Sequence, residues 1–243
     1  MVFIVDHNVP SDCPKTAASQ KKMRDFAKEN NIDFWEGKGV CHQVMMEHYV
    51  CPGELIFGAD SHTCSYGALG AFGTGVGCTD LLYGMVTGKS WVLVPETVKF
   101  NLVGKLPEGV YARDLILTII GTIGANGCNY QVMEFTGEGA KTLSISERMV
   151  LCNMAVEAGA KTGIFEPDEK AIEYLEAHGR KPKALFTSDP DAVYAREYTF
   201  DLSKIRPVVA KPDFVDNLVP AEEVRGVKID EAFLGSCNNG RIE

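Results

Sequence analysis

Three consecutive residues, Asp60-Ser61-His62, put a carboxylate, a hydroxyl and an imidazole side by side within Gly58-Ala59-Asp60-Ser61-His62-Thr63. Two earlier blocks offer related groups: Asp6-His7 in Val5-Asp6-His7-Asn8-Val9-Pro10, and His42 in Gly39-Val40-Cys41-His42-Gln43. An imidazole held beside a carboxylate has a fixed tautomer and raised basicity, which suits general acid–base chemistry. Asn153 and Glu157 lie four residues apart on an expected helix, so they share a face that is otherwise apolar. Cys237 stands apart from the other cysteines because Gly235-Ser236 and Asn238-Asn239 flank it, and a thiol in such a polar turn can face a cavity and react or bind metal.

Simple catalytic readings of these groups fail or stay open. A serine-hydrolase triad is assembled from separate segments, with its serine on a glycine-flanked elbow that Ser61 lacks. A zinc site on His7, His42 and His62 is geometrically possible, although no HxH or HExxH spacing supports it. One thiol cannot by itself hold an iron–sulfur cluster, which wants three or four. His48, inside an expected helix, is set aside. Two nucleotide motifs are also excluded: residues 73–77 lack the GxGxxG spacing, and residues 84–90 are one residue short of a Walker A loop.

The elements that must position these groups are read from periodicity. Residues 2–5 and 55–57 are short apolar strands that would deliver Asp6-His7 and Asp60-Ser61-His62 at their C-terminal ends, where open α/β sheets place sites. Residues 16–30 fit an amphipathic helix with Ala17, Met23, Phe26 and Ala27 on one side. Residues 43–49 suit a helical turn. The glycines from Gly67 to Gly77 suggest close packing of a helix on a sheet, with the first turn shaping a pocket floor. Strands are expected at 91–94, buried, and at 98–103, followed by an apolar helix at 111–124 with Leu115, Ile116, Ile119 and Ile120 inward. A strand at 130–135 precedes a capping box at Ser144 and Glu147, opening a helix that runs to Ala158 and stops at Gly159. A strand at 163–166 leads to a helix with Pro167 in its first turn. Residues 180–215 wander over the surface with short strands. Residues 232–234 read as a last strand entering the Cys237 turn. Boundaries near 95 and 215 divide the chain into residues 1–95, 96–214 and 215–243.

Composition narrows the class. The 243 residues are 45% hydrophobic and 23% charged, ordinary for a globular protein. A net charge of −9 without a basic stripe argues against nucleic acid. No apolar run spans a membrane and no signal peptide opens the chain, which suits a cytoplasmic protein. Eight cysteines without a CxxC pair read as buried small hydrophobes rather than disulfides.

Together these blocks resemble the aconitase superfamily, in particular the large subunit of the 3-isopropylmalate dehydratase/homoaconitase group. Val5 to Pro10 resembles its D-H-x-x-P block, Gly39 to Gln43 its G-x-x-H-Q block, and Gly58 to Thr63 with the glycine run its main signature. Cys152-Asn153-Met154-Ala155-Val156-Glu157-Ala158-Gly159-Ala160 resembles C-N-M-x-x-E-x-G-A, and Leu234 to Asn239 resembles G-S-C-T-N with Asn238 in place of threonine. The resemblance covers essentially the whole chain. It implies an α/β fold of three-layer α/β/α domains with mainly parallel sheets, and a [4Fe–4S] cluster held by three cysteines. Cys237 matches the first of them, and the other two belong to a motif further along than this chain reaches. It implies that Asp6 and His7 protonate a departing hydroxyl, that His42, Asp60, His62 and Glu157 line the open iron, and that Ser61 and Asn153 hold substrate or cluster.

The implied reaction isomerises 2-isopropylmalate to 3-isopropylmalate, a step of leucine biosynthesis, by dehydration and rehydration. Homocitrate or citrate is the alternative substrate, and the implied partners are a small subunit and a di- or tricarboxylate. No motif block carries an arginine, although such an acid needs one. The chain reads as a piece of a large subunit truncated at both ends, inactive and without a cluster on its own. Two other classes stay open: a zinc hydrolase built on His7, His42 and His62, and a non-catalytic RNA-binding relative.

Overall fold

The computed structural model describes residues 1–242. Strand β1 (Val2–Val5) pairs in parallel with β2 (Asp33–Glu36), and helix α1 (Pro14–Glu29) makes the crossover. Helix α2 (Cys41–His48) follows. Strand β3 (Leu55–Gly58) pairs in parallel with β4 (Phe72–Gly75), and a 3₁₀ helix, Ser61–Leu69, fills the connection. Both Asp6-His7 and Asp60 thus stand just past the C-terminal ends of parallel strands. After helix α3 (Cys78–Thr87) come β5 (Thr97–Val103), α4 (Ala112–Ile123), β6 (Val132–Thr136), α5 (Glu138–Thr142) and α6 (Ile145–Asn153). The run continues through β7 (Thr162–Phe165), α7 (Glu169–Ala177) and β8 (Arg196–Asp201). These four strands form one parallel sheet in the order β7-β6-β5-β8. An antiparallel pair, β9 (Val208–Ala210) and β10 (Leu218–Pro220), and a short helix α8 (Ser236–Asn239) complete the chain. The expected α/β architecture with mainly parallel sheets is therefore what forms. Among the described residues no helix is long and apolar enough to cross a membrane.

Alternation in β5 buries Val98, Phe100 and Leu102. Phe100 lies in register with Phe135 on one side and Tyr198 on the other, and Phe135 with Phe165. Ring centroids 5.6, 5.5 and 5.1 Å apart make a ladder across the whole sheet, each pair contributing about 0.5–1 kcal/mol. Helix α4 places Leu115, Ile116, Ile119 and Ile120 in the core, as its 3.6-residue spacing requires.

Two devices bring the first 75 residues onto this sheet. The 3₁₀ helix lies so close to β7 that a Cβ on Gly67 would fall 1.7 Å from the Gly163 carbonyl oxygen, so only glycine fits there. The expected capping box is present: Ser144 Oγ accepts the Glu147 N–H at 3.2 Å and Glu147 Oε2 accepts the Ser144 N–H at 2.7 Å. It fixes the start of α6, which packs on the 3₁₀ helix. One turn on, the buried Arg148 makes a two-pronged ion pair with Asp168, the N-cap of α7. Met46, Tyr66 and Leu69 share a single buried cluster with Phe100 and Ile119. The expected boundary at 95 falls in the unpaired stretch before β5, and that at 215 falls between β9 and β10, which pair across it.

Several local expectations are corrected. Residues 91–94 form no strand and are exposed, with Trp91 at 79% and Val94 at 86%; among the described residues no strand pairs with them, and Pro95 has no N–H to give to a ladder. Residues 232–234 likewise form no strand, and Phe233 and Leu234 are exposed. Tyr130 has φ 57°, which delays the start of β6 to Val132. Helix α7 starts at Glu169, so Pro167 lies ahead of the cap rather than inside the first turn. On α1 the buried residues are Gln20 and Ala27, while Met23 and Phe26 face outward. Gln20 is drawn in because its amide donates to the His7 and Asn8 carbonyls at 3.4 and 3.1 Å.

Candidate active site

Asp6, His42, Asp60 and His62 form one linked set. Asp6 Oδ2 accepts the Cys41 N–H at 2.6 Å, which anchors the end of β1 to the start of α2. Its Oδ1 faces His7 Nδ1 at 2.8 Å, leaving Nε2 outward and 3.9 Å from Asp60 Oδ2. His42, on the first turn of α2, is buried; its Nε2 lies 2.9 Å from Asp60 Oδ1 and its Nδ1 3.3 Å from Tyr66 Oη. Asp60 caps the 3₁₀ helix by accepting the His62 N–H at 2.7 Å. The same oxygen lies 3.5 Å from His62 Nδ1, while His62 Nε2 lies 3.5 Å from Glu157 Oε1. Ser61 Oγ is 3.4 Å from His62 Nδ1. Glu157 arrives there because α6 tightens into a 3₁₀ turn, Met154–Ala158, closed by Gly159 at φ 78°.

A second linked set surrounds Cys237. The buried Asn153 donates from Nδ2 to Ser65 Oγ at 3.0 Å and to Cys237 Sγ at 3.5 Å. Its Oδ1 accepts from Asn238 Nδ2 at 3.0 Å. Asn238 also donates to the Val150 carbonyl and accepts from Arg113, which fixes α8 against α6 and α4. A threonine at 238 has one hydroxyl and could not make all three bonds. Arg241 reaches back to α2, donating from Nε to Gln43 Oε1 at 3.0 Å.

Electrostatics follow from these contacts. The His42 and His62 hydrogen bonds hold Asp60 far below the usual carboxylate range. The Asp60 and Glu157 carboxylates push His62 up to about 10, so it is an imidazolium at neutral pH with both N–H groups directed at acids. Glu157 is lowered by that same contact and by the nearby Arg113 charge. Asp6 raises His7. Burial works to raise Asp6, but the Cys41 N–H and His7 outweigh it and leave Asp6 lowered. Burial pushes the Cys64 thiol up to about 12 and Cys152 well above its ordinary value, which marks both as inert packing residues.

Every site residue read from the sequence lies in one of the two sets, and Ser65 joins the sets: its hydroxyl accepts from Asn153 and donates to the His62 carbonyl at 2.8 Å. His42, His62 and Cys237 each offer a ligand atom within 4.8 Å of the others. The trio weighed as an alternative zinc site is not assembled among the described residues: Cys237 takes the place of His7, which stays exposed and turned to Asp60. Sequence reasoning missed Ser65, Tyr66, Asn238's role, Arg113 and Arg241. Asn238 could have been flagged from its place beside Cys237. Arg113 gave no signal, being one charge at the start of an apolar helix.

The sequence model described as the aconitase family (aconitate hydratase) matches residues 3–225. The chain is 50% identical over 246 aligned residues to 3-isopropylmalate dehydratase large subunit 1 of Methanopyrus kandleri, covering all of this chain and 59% of that protein. It is 48% identical to the 3-isopropylmalate dehydratase large subunit of Aquifex aeolicus, covering 57% of that protein. It is also 48% identical to the probable methanogen homoaconitase large subunit of Methanothermobacter thermautotrophicus, covering 58%. The chain thus spans less than two thirds of the length of these curated relatives.

Proposed function

The chain belongs to the aconitase family, and from that premise we propose that it forms the acid–base wall of a hydro-lyase that moves a hydroxyl group between adjacent carbons of a small di- or tricarboxylate. The whole protein would be the large subunit of a dehydratase acting on 2-isopropylmalate, with homocitrate as the alternative that the relatives' names support, and would pair with a small subunit. One observation carries the reading. His42 and His62, both beside Asp60, meet the polar-flanked Cys237 thiol, and the Asp6–His7 pair stands against the same Asp60.

The residues fit one corner of a [4Fe–4S] cluster. Cys237 is a half-exposed thiol on the short helix α8, held by an amide donor from Asn153, and hydrogen bonds to ligand sulfurs are a usual means of tuning such clusters. Cys237 would hold the cluster as one of its thiolates, and the cluster would supply Lewis-acid activation of the substrate's hydroxyl. The chain's own residues handle protons. His7, oriented through Nδ1 by Asp6, presents Nε2 on the Asp60 side as the acid that protonates the departing hydroxyl. His62 stays charged because Asp60 and Glu157 face its two nitrogens, so its positive charge stabilises nearby developing negative charge without giving up its proton at neutral pH. His42, fixed between Asp60 and Tyr66, holds Asp60 ionised. Ser61, exposed beside His62, and the Asn153 amide are placed to hold substrate or cluster.

Assay of the full-length protein with its small subunit against 2-isopropylmalate, homocitrate and citrate tests the reading. Turnover of one acid with a detectable unsaturated intermediate supports it. Zinc without iron or sulfide in an active hydrolase would sink it, as would salt-sensitive RNA binding without turnover.

A further inference from the structure

A di- or tricarboxylate needs a cation, and the His62 charge is already faced on both nitrogens by Asp60 and Glu157. Among the described residues, Arg113 is a cation without such an acid partner. It sits in the first turn of α4 and is half-buried. Its Nη1 donates to Asn238 Oδ1, and this is the one hydrogen bond it makes among the described residues. Asn238 is itself fixed on its other edge by Val150 and Asn153. The guanidinium is therefore aimed by a rigid acceptor while its remaining donors stay available. The neighbouring Asp114 does not neutralise it by pairing, since its oxygens accept the Tyr111 and Val208 N–H groups at 3.0 Å each. Helix α4 packs on the Met154–Ala158 turn that carries Glu157, and Arg113 and Glu157 feel each other's charge without forming an ion pair.

We propose that Arg113 is a carboxylate-binding group of this site, its outward N–H donors taking one carboxylate of the substrate between α4 and the His62–Glu157 pair. This rests on reading the site as one for a small di- or tricarboxylate, and it names the residue that reads the charge. A planar fork suits a carboxylate in two-pronged fashion, which a lysine would match in charge but not in geometry.

The test uses the full-length chain with its small subunit and two measurements. In the first, phenylglyoxal modification of Arg113 is followed by peptide mass spectrometry, with and without 2-isopropylmalate, homocitrate, citrate, or the dimethyl ester of 2-isopropylmalate. One of the free acids should slow modification at least about fivefold, and the uncharged ester should not. In the second, Arg113→Gln should raise KM about 30-fold or more with kcat within about threefold, and Arg113→Lys should fall between. If no acid protects Arg113, or the ester protects equally, the proposal is overturned. An unchanged KM in Arg113→Gln overturns it as well. Turnover by the wild type without protection leaves the dehydratase reading standing and removes this one. Protection without turnover of any of the acids does the reverse. The protection measurement needs only wild-type protein, so a variant that fails to fold does not decide the matter.

Discussion

Replacing Asp60 by Asn isolates a single charge at the centre of the site. Asn caps a helix as well as Asp does, so the bond from the His62 N–H survives. What is lost is the negative charge facing His42 Nε2 at 2.9 Å and His62 Nδ1 at 3.5 Å. Charge-assisted bonds contribute about 1.5–3 kcal/mol each. The Asp60 side chain is 28% exposed, and solvent screening brings the pair to about 2–3 kcal/mol together. The pH dependence has a definite sign. His62 is raised in the folded state, so its contribution is full below its ordinary value of 6.5 and fades as pH rises through about 10. Asp60 is depressed, so its contribution is present above its ordinary value of 3.8 and is lost on further acidification. Urea unfolding of the metal-free chain should therefore show the largest gap between wild type and D60N near pH 5–6, shrinking towards pH 10. Histidine titration by NMR should place the His62 midpoint about 1–3 pH units lower in D60N. A gap that does not vary with pH, together with an unmoved His62 midpoint, refutes the reasoning.

Three further outcomes are expected. Asp168→Asn leaves the buried Arg148 charge without its ionic partner and should cost about 3–5 kcal/mol by urea unfolding; burial opposes the Arg148 contact, but Asp168 is lowered on balance, so the wild-type advantage should disappear as pH falls below 3.8. Gly67→Ala must push the 3₁₀ helix off β7, lowering stability by about 2–3 kcal/mol or more, whereas Gly109→Ala, where a Cβ meets nothing within 4 Å although φ is +78°, should cost about 1 kcal/mol. His7→Gln in the full-length enzyme should reduce kcat about 10²- to 10⁴-fold with little change in KM, and a loss confined to KM argues against a proton-transfer role.

The elements most legible in the sequence are those set by local rules. The capping box at Ser144 and Glu147, the apolar stripe of α4 and the short strands ahead of Asp6 and Asp60 depend on neighbours within a few residues. Apolar runs with no pairing strand misled: Trp91 to Val94 and Phe233-Leu234 have strand composition, but a strand exists only when another chain segment offers its hydrogen bonds. Gln20 is buried because it bonds to a loop 12 and 13 residues away, which helical periodicity cannot register. Within the site, each His and its motif could be found in isolation. The 3.5 Å approach of Glu157 to His62 depends on α6 tightening at Met154, and the Arg113–Asn238 contact joins residues 125 positions apart. Such long-range pairs have no local trace.

The central claim is that Cys237, beside the imidazole–carboxylate pairs, is a cluster ligand in the complete protein. Anaerobic reconstitution of full-length wild type and Cys237→Ser, followed by iron and sulfide analysis and visible absorption, tests it directly. We expect about four irons and four sulfides per wild-type chain, with the broad visible absorption lost in Cys237→Ser while the variant keeps its fold by circular dichroism. Equal iron and sulfide in the folded variant, or zinc in their place in the wild type, would contradict it.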